Sequence, residues 1–371
     1  MTLADARDPA LVGGKGASLG ELARAGIAVP PGFVVAVDGF AAAMAAVDAS
    51  GALRAQLEAL GALGAGDPPL LARACAALRA RIIEAPLPSP VADAITASYA
   101  ALGEPDAPAD VAVRSSATLE DSAAASFAGL QDTYLGVTGA PAVLEHVRRC
   151  WASLYNEESV AYRRRLGLPE RALAMAVVVQ RLVAPRAAGV MFTRSPVTGD
   201  RSVVAIEGVW GLGSALVSGD VTPDSFIVSK ITGEITTRRI SPKLKTHTHR
   251  PNARVAPPHS PSAHGPGVSV EDTPFNLRDA PCLTDDEIRA LAAIARQVEA
   301  HYGAPQDIEW ALLDADGSPA APSAPSAPSA PRIVLLQSRP ETVWAAKDPA
   351  PAGAPKPRPA DHVLSLFGKP L

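Results

Sequence analysis

The stretch that decides the fold is VAVRSSATLEDSAAASFAGLQDTYLGV, residues 111–137. A short apolar run of β type leads into Arg114, small and hydroxyl-bearing residues follow as far as Gly129, and Thr133 precedes a second apolar run. An arginine at the end of a strand can clamp phosphate oxygens with two parallel hydrogen bonds. The backbone amides of a flexible glycine- and serine-rich loop can wrap a polyphosphate. A plain surface loop is the alternative interpretation.

A second candidate phosphate-binding segment lies near the N-terminus, in VGGKGAS, residues 12–18. Three glycines around Lys15 allow a ligand to approach the backbone closely, and the helix predicted over 17–25 offers free amides at its N-terminal end. A lysine on such a loop can contact phosphate as a point charge. The spacing is not that of a Walker A loop, GxxxxGK(S/T). A plain glycine-rich turn explains the segment equally well.

A third candidate segment is a predicted hairpin of two strands, 307–312 and 333–337. Ile308 separates Asp307 from Glu309, and the two-residue period of a strand puts both carboxylates on one face. Gln337 and Arg339 have the same spacing on or just after the second strand. Two carboxylates, an amide and a guanidinium on one patch suit Mg²⁺ together with phosphates. The alternative is a sheet face held by salt bridges.

Other polar residues are weaker candidates. Glu207 follows an apolar run, precedes glycine turns, and is a possible metal or ribose ligand, or only a helix cap. His247 and His249 form an i, i+2 pair in a polar stretch, and the remaining histidines are isolated. None has the spacing of a metal site, so we interpret all seven as surface or core residues.

Composition excludes several classes of protein. The chain has 371 residues, with 34 basic and 38 acidic side chains, so its charge does not indicate a nucleic-acid partner. Three widely spaced cysteines predict neither disulfides nor zinc. The apolar runs are too short for a membrane span and the N-terminus lacks the form of a secretory signal, which predicts a cytoplasmic protein.

The order of the elements predicts two lobes. An alanine-rich helical half precedes a strand-rich half, which favours two α/β lobes with a cleft between them. We expect lobes at 1–183 and 184–345, followed by a proline-rich linker and tail at 346–371. The 36 prolines cluster in 251–281, 319–331 and 349–359. The Ala-Pro-Ser repeats of the middle cluster predict an extended insertion at 318–331 in a surface loop.

Seven phrases occur in an order typical of a known family. They are VGGKGASLGEL, VPPGFVV, VAVRSSATLEDSAAASFAGLQDTYLGV, AGVMFTRSPVTGD, WGLGSALVSGDVTPDSF, QDIEWAL and LLQSRPETVW. Through them, residues 11–344 resemble the nucleotide-binding part of the phosphoenolpyruvate synthase and pyruvate phosphate dikinase family, which also includes rifampin phosphotransferases. The resemblance implies an α/β (α+β) fold of the ATP-grasp type, with ATP and Mg²⁺ between the two lobes.

The resemblance also implies roles for the residues of the first lobe. Lys15 and Arg114 would act on the phosphates as catalytic groups. Gly129 and Thr133 would belong to the loop that covers the phosphates. Gln180 would flank the adenine.

In the second lobe, the resemblance assigns the hairpin to metal and phosphates. Arg339 would be a third catalytic group on the phosphates. Glu309 and Gln337 would bind both the metal and the nucleotide, with Asp307 beside them as a further metal ligand.

The family implies a phosphotransferase that uses Mg-ATP to phosphorylate a histidine, releasing AMP and phosphate. That histidine lies in a glycine-rich Thr-Ser-His setting on a swivelling domain, and no histidine here has this setting. We therefore expect it on a separate partner subunit, as in the split enzyme phenylphosphate synthase, with a small-molecule acceptor beyond it. The alternatives are a self-contained kinase that phosphorylates a small molecule directly, and an ATP-sensing subunit without catalysis.

Overall fold

The computed structural model describes residues 1–62, 68–104, 107–118, 121–122, 125–126, 132–170, 173–250, 267–313 and 332–345. Helices and antiparallel sheets are mixed, which confirms the predicted α/β class. A 3₁₀ helix at Leu3–Asp5 precedes the α-helices, which are α1 (Pro9–Arg24), α2 (Val37–Val47), α3 (Ala52–Ala62), α4 (Pro68–Glu84), α5 (Ser89–Ala100), α6 (Ala140–Ser153), α7 (Glu157–Arg165), α8 (Ser214–Val217), α9 (Phe275–Arg278) and α10 (Asp285–Tyr302).

The strands of the described residues build two larger sheets and two small ribbons. In chain order they are β1 (Gly32–Val35), β2 (Asp110–Ala117), β3 (Asp121–Ser122), β4 (Ala125–Ser126), β5 (Thr133–Thr138), β6 (Met175–Arg181), β7 (Ala187–Phe192), β8 (Val203–Trp210), β9 (Asp224–Ser229), β10 (Ile235–Arg239), β11 (Lys245–His249), β12 (Val268–Asp272), β13 (Gln306–Leu313) and β14 (Arg332–Pro340). The ribbons pair β3 with β4 and β11 with β12.

The first sheet has the order β1-β6-β2-β5 and carries helices on both faces. Alternate residues of its strands, such as Val113 and Val177, pack with α2, α4 and α6 in the largest core cluster. On the opposite face, Val34 and Val178 pack against Leu19 of α1. Because the central strands are covered on both sides, they are nearly continuously apolar.

The second sheet has the order β10-β9-β8-β7-β13-β14. One face packs on α10 through a core in which Trp210 and Trp310 are fully buried. On the opposite face, Asp307 and Glu309 lie on β13, and Glu207 lies on β8. Helix α1 contacts β2 and β6 of the first sheet and β14 of the second, so it lies where the two sheets meet.

Two local sequence signals are confirmed. The Thr-Asp-Asp-Glu sequence at 284–287 predicts a capping box, and Thr284 and Glu287 form it at the start of α10, each side chain bonded to the backbone nitrogen of the other. The predicted hairpin forms from β13 and β14, with Asp307 paired to Arg339 and Glu309 paired to Gln337.

Other predictions need correction. The predicted helix over 17–25 begins at Pro9, because Pro9 and the Asp8 cap start it early, and Gly13 interrupts it with a non-helical backbone. Glu207 is neither a helix cap nor part of a turn, because β8 continues through it to Trp210. Gly211, the residue after β8, has a φ of 70°.

Some predictions fall on residues outside the described part. These are Gly129, the Ala-Pro-Ser insertion at 318–331, and the linker and tail at 346–371. The three cysteines are each buried and free. No helix among the described residues is both long and apolar enough to cross a membrane.

Candidate functional site

Arg114 joins the two sheets. It lies on β2 of the first sheet with only 8% of its surface exposed. Its Nη2 donates to Glu309 Oε2 at 2.6 Å and to Gln337 Oε1 at 2.9 Å, and its Nη1 donates to the carbonyl oxygen of Leu336 at 2.6 Å. The guanidinium therefore cross-links its own strand to both strands of the β13–β14 hairpin.

Residues 12–16, called the lysine loop here, form the kinked part of α1 around Gly13 and Lys15 and lie against the same strand. Ser116 Oγ donates to Val12 O at 2.8 Å and accepts from Gly16 N at 3.1 Å, which holds the loop on both sides of Lys15. Gly13 has a φ of 69° and a ψ of 171°, and a Cβ at this position would overlap the Ser116 carbonyl oxygen. Only glycine adopts this backbone without strain, so the contact requires Gly13.

Helix α1 extends this contact to the hairpin. Ser18 Oγ donates to Ser338 O at 2.5 Å, although 320 residues separate the two in the sequence. Lys15 itself is partly exposed. Ser116 and Arg114 are two residues apart on β2 and share one face of the strand, so the lysine loop meets the face on which Arg114 contacts the hairpin.

The second sheet presents a row of polar groups to this region. Gln337 pairs with Glu309, Glu309 pairs with Val190, and Val190 pairs with Glu207. Paired residues on adjacent antiparallel strands point to the same face, so these side chains line one surface. Burial raises the pKa of Glu207, and no ion pair to its carboxylate occurs within the described ranges.

Asp307 lies two residues before Glu309 on β13 and therefore on the same face of the sheet. Arg339 Nε donates to Asp307 Oδ2 at 3.2 Å. Burial raises the pKa of Asp307, and the adjacent Arg339 partly opposes the shift. Each carboxylate of the hairpin is therefore paired with an arginine that the sequence predicts to contact phosphate.

The remaining predicted residues take different positions. Thr133 is the cross-strand partner of Arg114 on β5. Gln180 of β6 is paired with Ala112 of β2, so it shares the face of Arg114. Its side chain is 2% exposed, and its Nε2 donates to Pro30 O at 3.1 Å. The structure thus brings Thr133 beside Arg114 and occupies the Gln180 amide nitrogen with a backbone bond.

The donor set around the hairpin suits a hard cation. Among the described residues, no three His, Cys, Asp or Glu side chains come together as a metal site. The hairpin offers two carboxylates and the amide of Gln337, all oxygen donors. Mg²⁺ commonly takes one or two protein carboxylates and completes its shell with water and substrate phosphates. Asp307, Glu309 and Gln337 therefore fit Mg²⁺ and do not fit zinc.

Sequence reasoning missed the residues that assemble the site. Ser18 and Ser116 fall inside the segments singled out above, but nothing in their spacing indicates their partners, which lie at positions 338 and 12–16. The histidine pair agrees with the predicted surface or core location, but its contacts had no sequence signal. His247 is fully buried, and His249 Nε2 lies 3.1 Å from Asp110 Oδ2 of the first sheet.

Comparison with known proteins connects this arrangement to a family. Residues 9–358 match the pyruvate phosphate dikinase AMP/ATP-binding domain. The phosphoenolpyruvate synthase of Aeropyrum pernix is 40% identical over 354 residues, covering 91% of this chain and 41% of the relative. A rifampicin phosphotransferase of a Streptomyces species is 45% identical over 317 residues, covering 84% of this chain and 34% of the relative. The rifampicin phosphotransferase of Bacillus subtilis is 40% identical over 303 residues, covering 81% of this chain and 33% of the relative.

The chain thus spans less than half the length of these three relatives. The family match extends over most of the chain, from the lysine loop past the end of β14. The chain belongs to the family of pyruvate phosphate dikinase AMP/ATP-binding domains.

Proposed function

We propose that this chain binds Mg-ATP between its two sheets, in an ATP-grasp arrangement, and transfers phosphate from it to a histidine of a separate subunit. The observation that carries this proposal is the convergence on Arg114. The buried arginine bonds to Glu309 and Gln337 of the hairpin, and the lysine loop bonds to Ser116 on the same strand as Arg114. Membership of the family supports the binding of a nucleotide. The oxygen donors of the hairpin support the binding of Mg²⁺.

The two ends of the hairpin face suit the two ends of a nucleotide. Ala188, Ala311 and Val334 form a small buried apolar cluster on the face that carries Glu309. An apolar surface suits an adenine ring, and polar groups at the other end suit phosphates. The proposed phosphate groups at that end are Lys15, Arg114 and Arg339.

Charge balance also supports the proposal. Glu309 neutralises the buried Arg114 guanidinium in this structure, at 2.6 Å. A buried cation requires an anionic partner, which a polyphosphate can supply as well as a carboxylate can. Glu309 and Gln337, with Asp307 beside them, would hold Mg²⁺, which supplies neutralisation of phosphate charge when bound.

The role of the chain's own residues is positioning and electrostatic stabilisation. Lys15, Arg114 and Arg339 would stabilise the negative charge that develops as phosphate is transferred. The hydrogen bond that Ser116 donates to Val12, the one it accepts from Gly16 and the one from Ser18 to β14 hold these segments together. AMP and phosphate are the proposed products alongside the phosphohistidine.

The contacts of the four described histidines support an acceptor outside the described part of this chain. Among the described residues, each histidine has a polar neighbour within the fold. His146 Nδ1 lies 2.7 Å from Ala142 O, and His301 Nε2 lies 2.7 Å from Glu21 Oε1. His247 and His249 lie beside carboxylates.

An Arg114→Ala variant tests the proposal. Loss of a bidentate phosphate contact worth about 3 kcal/mol should weaken binding of Mg²⁺ with the non-hydrolysable analogue AMP-PNP about 100-fold, measured by calorimetry. With ATP labelled at the β-phosphorus, the variant should not label a separately produced histidine-bearing subunit, whereas wild type should. Arg149→Ala is a matched control, because within the described residues Arg149 pairs with Glu145 one turn away on α6.

Unchanged AMP-PNP affinity in a folded Arg114→Ala protein would contradict the proposed site. Labelling of a small acceptor by the wild-type chain, with no second subunit present, would instead favour direct transfer. The names of the rifampicin phosphotransferase relatives make that antibiotic a reasonable first small acceptor to assay.

A further inference from the structure

We propose that the β11–β12 hairpin is a strap between the two sheets that positions β5, and that His249 is a positioning residue within it. The inference rests on the proposed function, because β5 carries Thr133 opposite Arg114. The strap is defined here as residues 245–249 and 267–272. It contains the histidine pair for which neither the fold prediction nor the nucleotide site supplies a role.

One end of the strap is attached beside the second sheet. His247 forms a bridge with Gly211, just after β8, and Leu212 N donates to His247 O at 2.8 Å. His247 Nδ1 lies 2.9 Å from Ser214 Oγ of α8. Since His247 is fully buried, this end is held by backbone and side-chain contacts together.

The other end of the strap is attached to the first sheet. Gly267 N donates to Leu135 O at 3.1 Å, on the side of β5 that faces away from β2. The backbones of Gly136 and Gly267 touch, and a Cβ on Gly136 would lie 2.9 Å from Gly267 N and still closer to its Cα. Side chains at these two positions would push the strap away from β5.

A bulge in β5 makes this contact possible. The pairing of β2 with β5 shifts between Val111 and Val113, so that Leu135 and Gly136 lie opposite Ala112 alone. Gly136 has a φ of 71°, a backbone typical of glycine at a bulge. β5 is an edge strand with β2 as its one neighbour in the sheet, and the strap covers part of its open edge.

A side-chain contact reinforces the backbone contact. His249 Nε2 lies 3.1 Å from Asp110 Oδ2, and both side chains are largely buried. Thr138 Oγ1 donates to the other oxygen of Asp110. Asp110 of β2 thus connects the strap to β5, and removing the imidazole should loosen both.

Loosening the strap should affect the proposed phosphate-binding residues more than the proposed adenine-binding residue. β5 begins at Thr133, the cross-strand partner of Arg114, whereas Gln180 lies on the other side of β2. If the strap positions β5, loosening it should weaken binding of a nucleotide with three phosphates and leave binding of AMP nearly unchanged. A general loss of stability would weaken both nucleotides alike.

Gly136→Ala is the principal test, with Gly233→Ala as its matched control. Both glycines have a positive φ, 71° and 75°, but a Cβ at Gly233 meets nothing within 4 Å. Gly136→Ala should weaken AMP-PNP binding in the presence of Mg²⁺ about 10-fold and change AMP binding less than about 2-fold. Gly233→Ala should change neither affinity.

His249→Ala is the second variant, with Lys245→Ala as its control on the same strap. Lys245 forms an exposed ion pair with Asp272 and does not involve β5. Hydrogen exchange of peptides that cover 133–138 and 267–272 should accelerate about 10-fold or more in His249→Ala and Gly136→Ala, and remain at the wild-type rate in both controls.

Two results would contradict the proposal that the strap positions β5. Exchange of β5 at the wild-type rate in both test variants would do so, as would equal weakening of AMP and AMP-PNP binding. Failure of the wild-type chain to bind AMP-PNP would refute the proposed function instead. The exchange measurement needs no nucleotide, so it would still decide whether the strap holds β5.

Discussion

Gly13→Ala should destabilise the protein far more than an ordinary substitution of a glycine with positive φ. Gly13 combines a φ of 69° with a ψ of 171°, a region occupied almost only by glycine. A methyl group there overlaps the carbonyl oxygen of Ser116, whose hydroxyl holds Val12 O and Gly16 N. The added carbon must displace Ser116 and separate the lysine loop from β2.

Gly26→Ala provides the reference value. Gly26 has a φ of 72°, and a Cβ there meets nothing within 4 Å, so its substitution costs only the backbone strain, about 1–2 kcal/mol. Gly13→Ala adds the loss of two buried hydrogen bonds, about 1 kcal/mol each, and overpacking of about 1–3 kcal/mol. The free energy of unfolding should therefore fall about 3–5 kcal/mol further in Gly13→Ala than in Gly26→Ala.

Urea unfolding followed by circular dichroism measures this difference, with both variants and wild type studied at one pH and temperature. AMP-PNP binding by the folded fraction should also weaken in Gly13→Ala, because Lys15 follows the displaced loop. A difference in unfolding free energy below about 1 kcal/mol would refute the reasoning, since it would mean that the loop is not held tightly against Ser116.

Two further predictions concern other parts of the second sheet. Gly199→Ala should lower the free energy of unfolding by about 1–3 kcal/mol more than Gly219→Ala. A Cβ at Gly199 would lie 2.7 Å from the Trp344 ring, whereas a Cβ at Gly219 would meet nothing within 4 Å. Urea titration compares the two variants, and equal losses of unfolding free energy would contradict the contact with Trp344. Since burial raises the pKa of Glu207, its contribution to stability falls as pH rises through that pKa. Glu207→Gln should therefore increase the free energy of unfolding relative to wild type at pH 8, and by less at pH 4.5. If the increase in unfolding free energy is the same at both pH values, burial of the Glu207 charge is not its cause.

Much of the fold could be predicted because its signals are local. The capping box at Thr284 needs only four residues, and the shared face of Asp307 and Glu309 follows from the two-residue period of a strand. The local sequence signals fail where strand pairing extends an element past a residue that favours a turn. Glu207 precedes a glycine and was expected near a turn, but pairing with β7 and β9 extends β8 through it.

For the candidate site, the sequence indicates which segments to consider but not how they are arranged. Lys15, Arg114 and the hairpin residues were singled out as separate segments, and the structure brings these segments together. The bond from Gln180 to Pro30 O had no sequence signal, because a glutamine in an apolar strand suits many partners equally. The contact between His249 and Asp110 likewise had no sequence signal.

The sequence by itself determined which elements form, which faces of them are polar, and which family the chain resembles. Only the tertiary structure decided that Arg114 binds Glu309, 195 residues away, and that Gly267 meets Gly136 across the edge of the first sheet. The reason is physical. Propensity, capping and periodicity act over a few residues, whereas contacts between sheets depend on how whole faces pack, and that packing is a property of the folded chain.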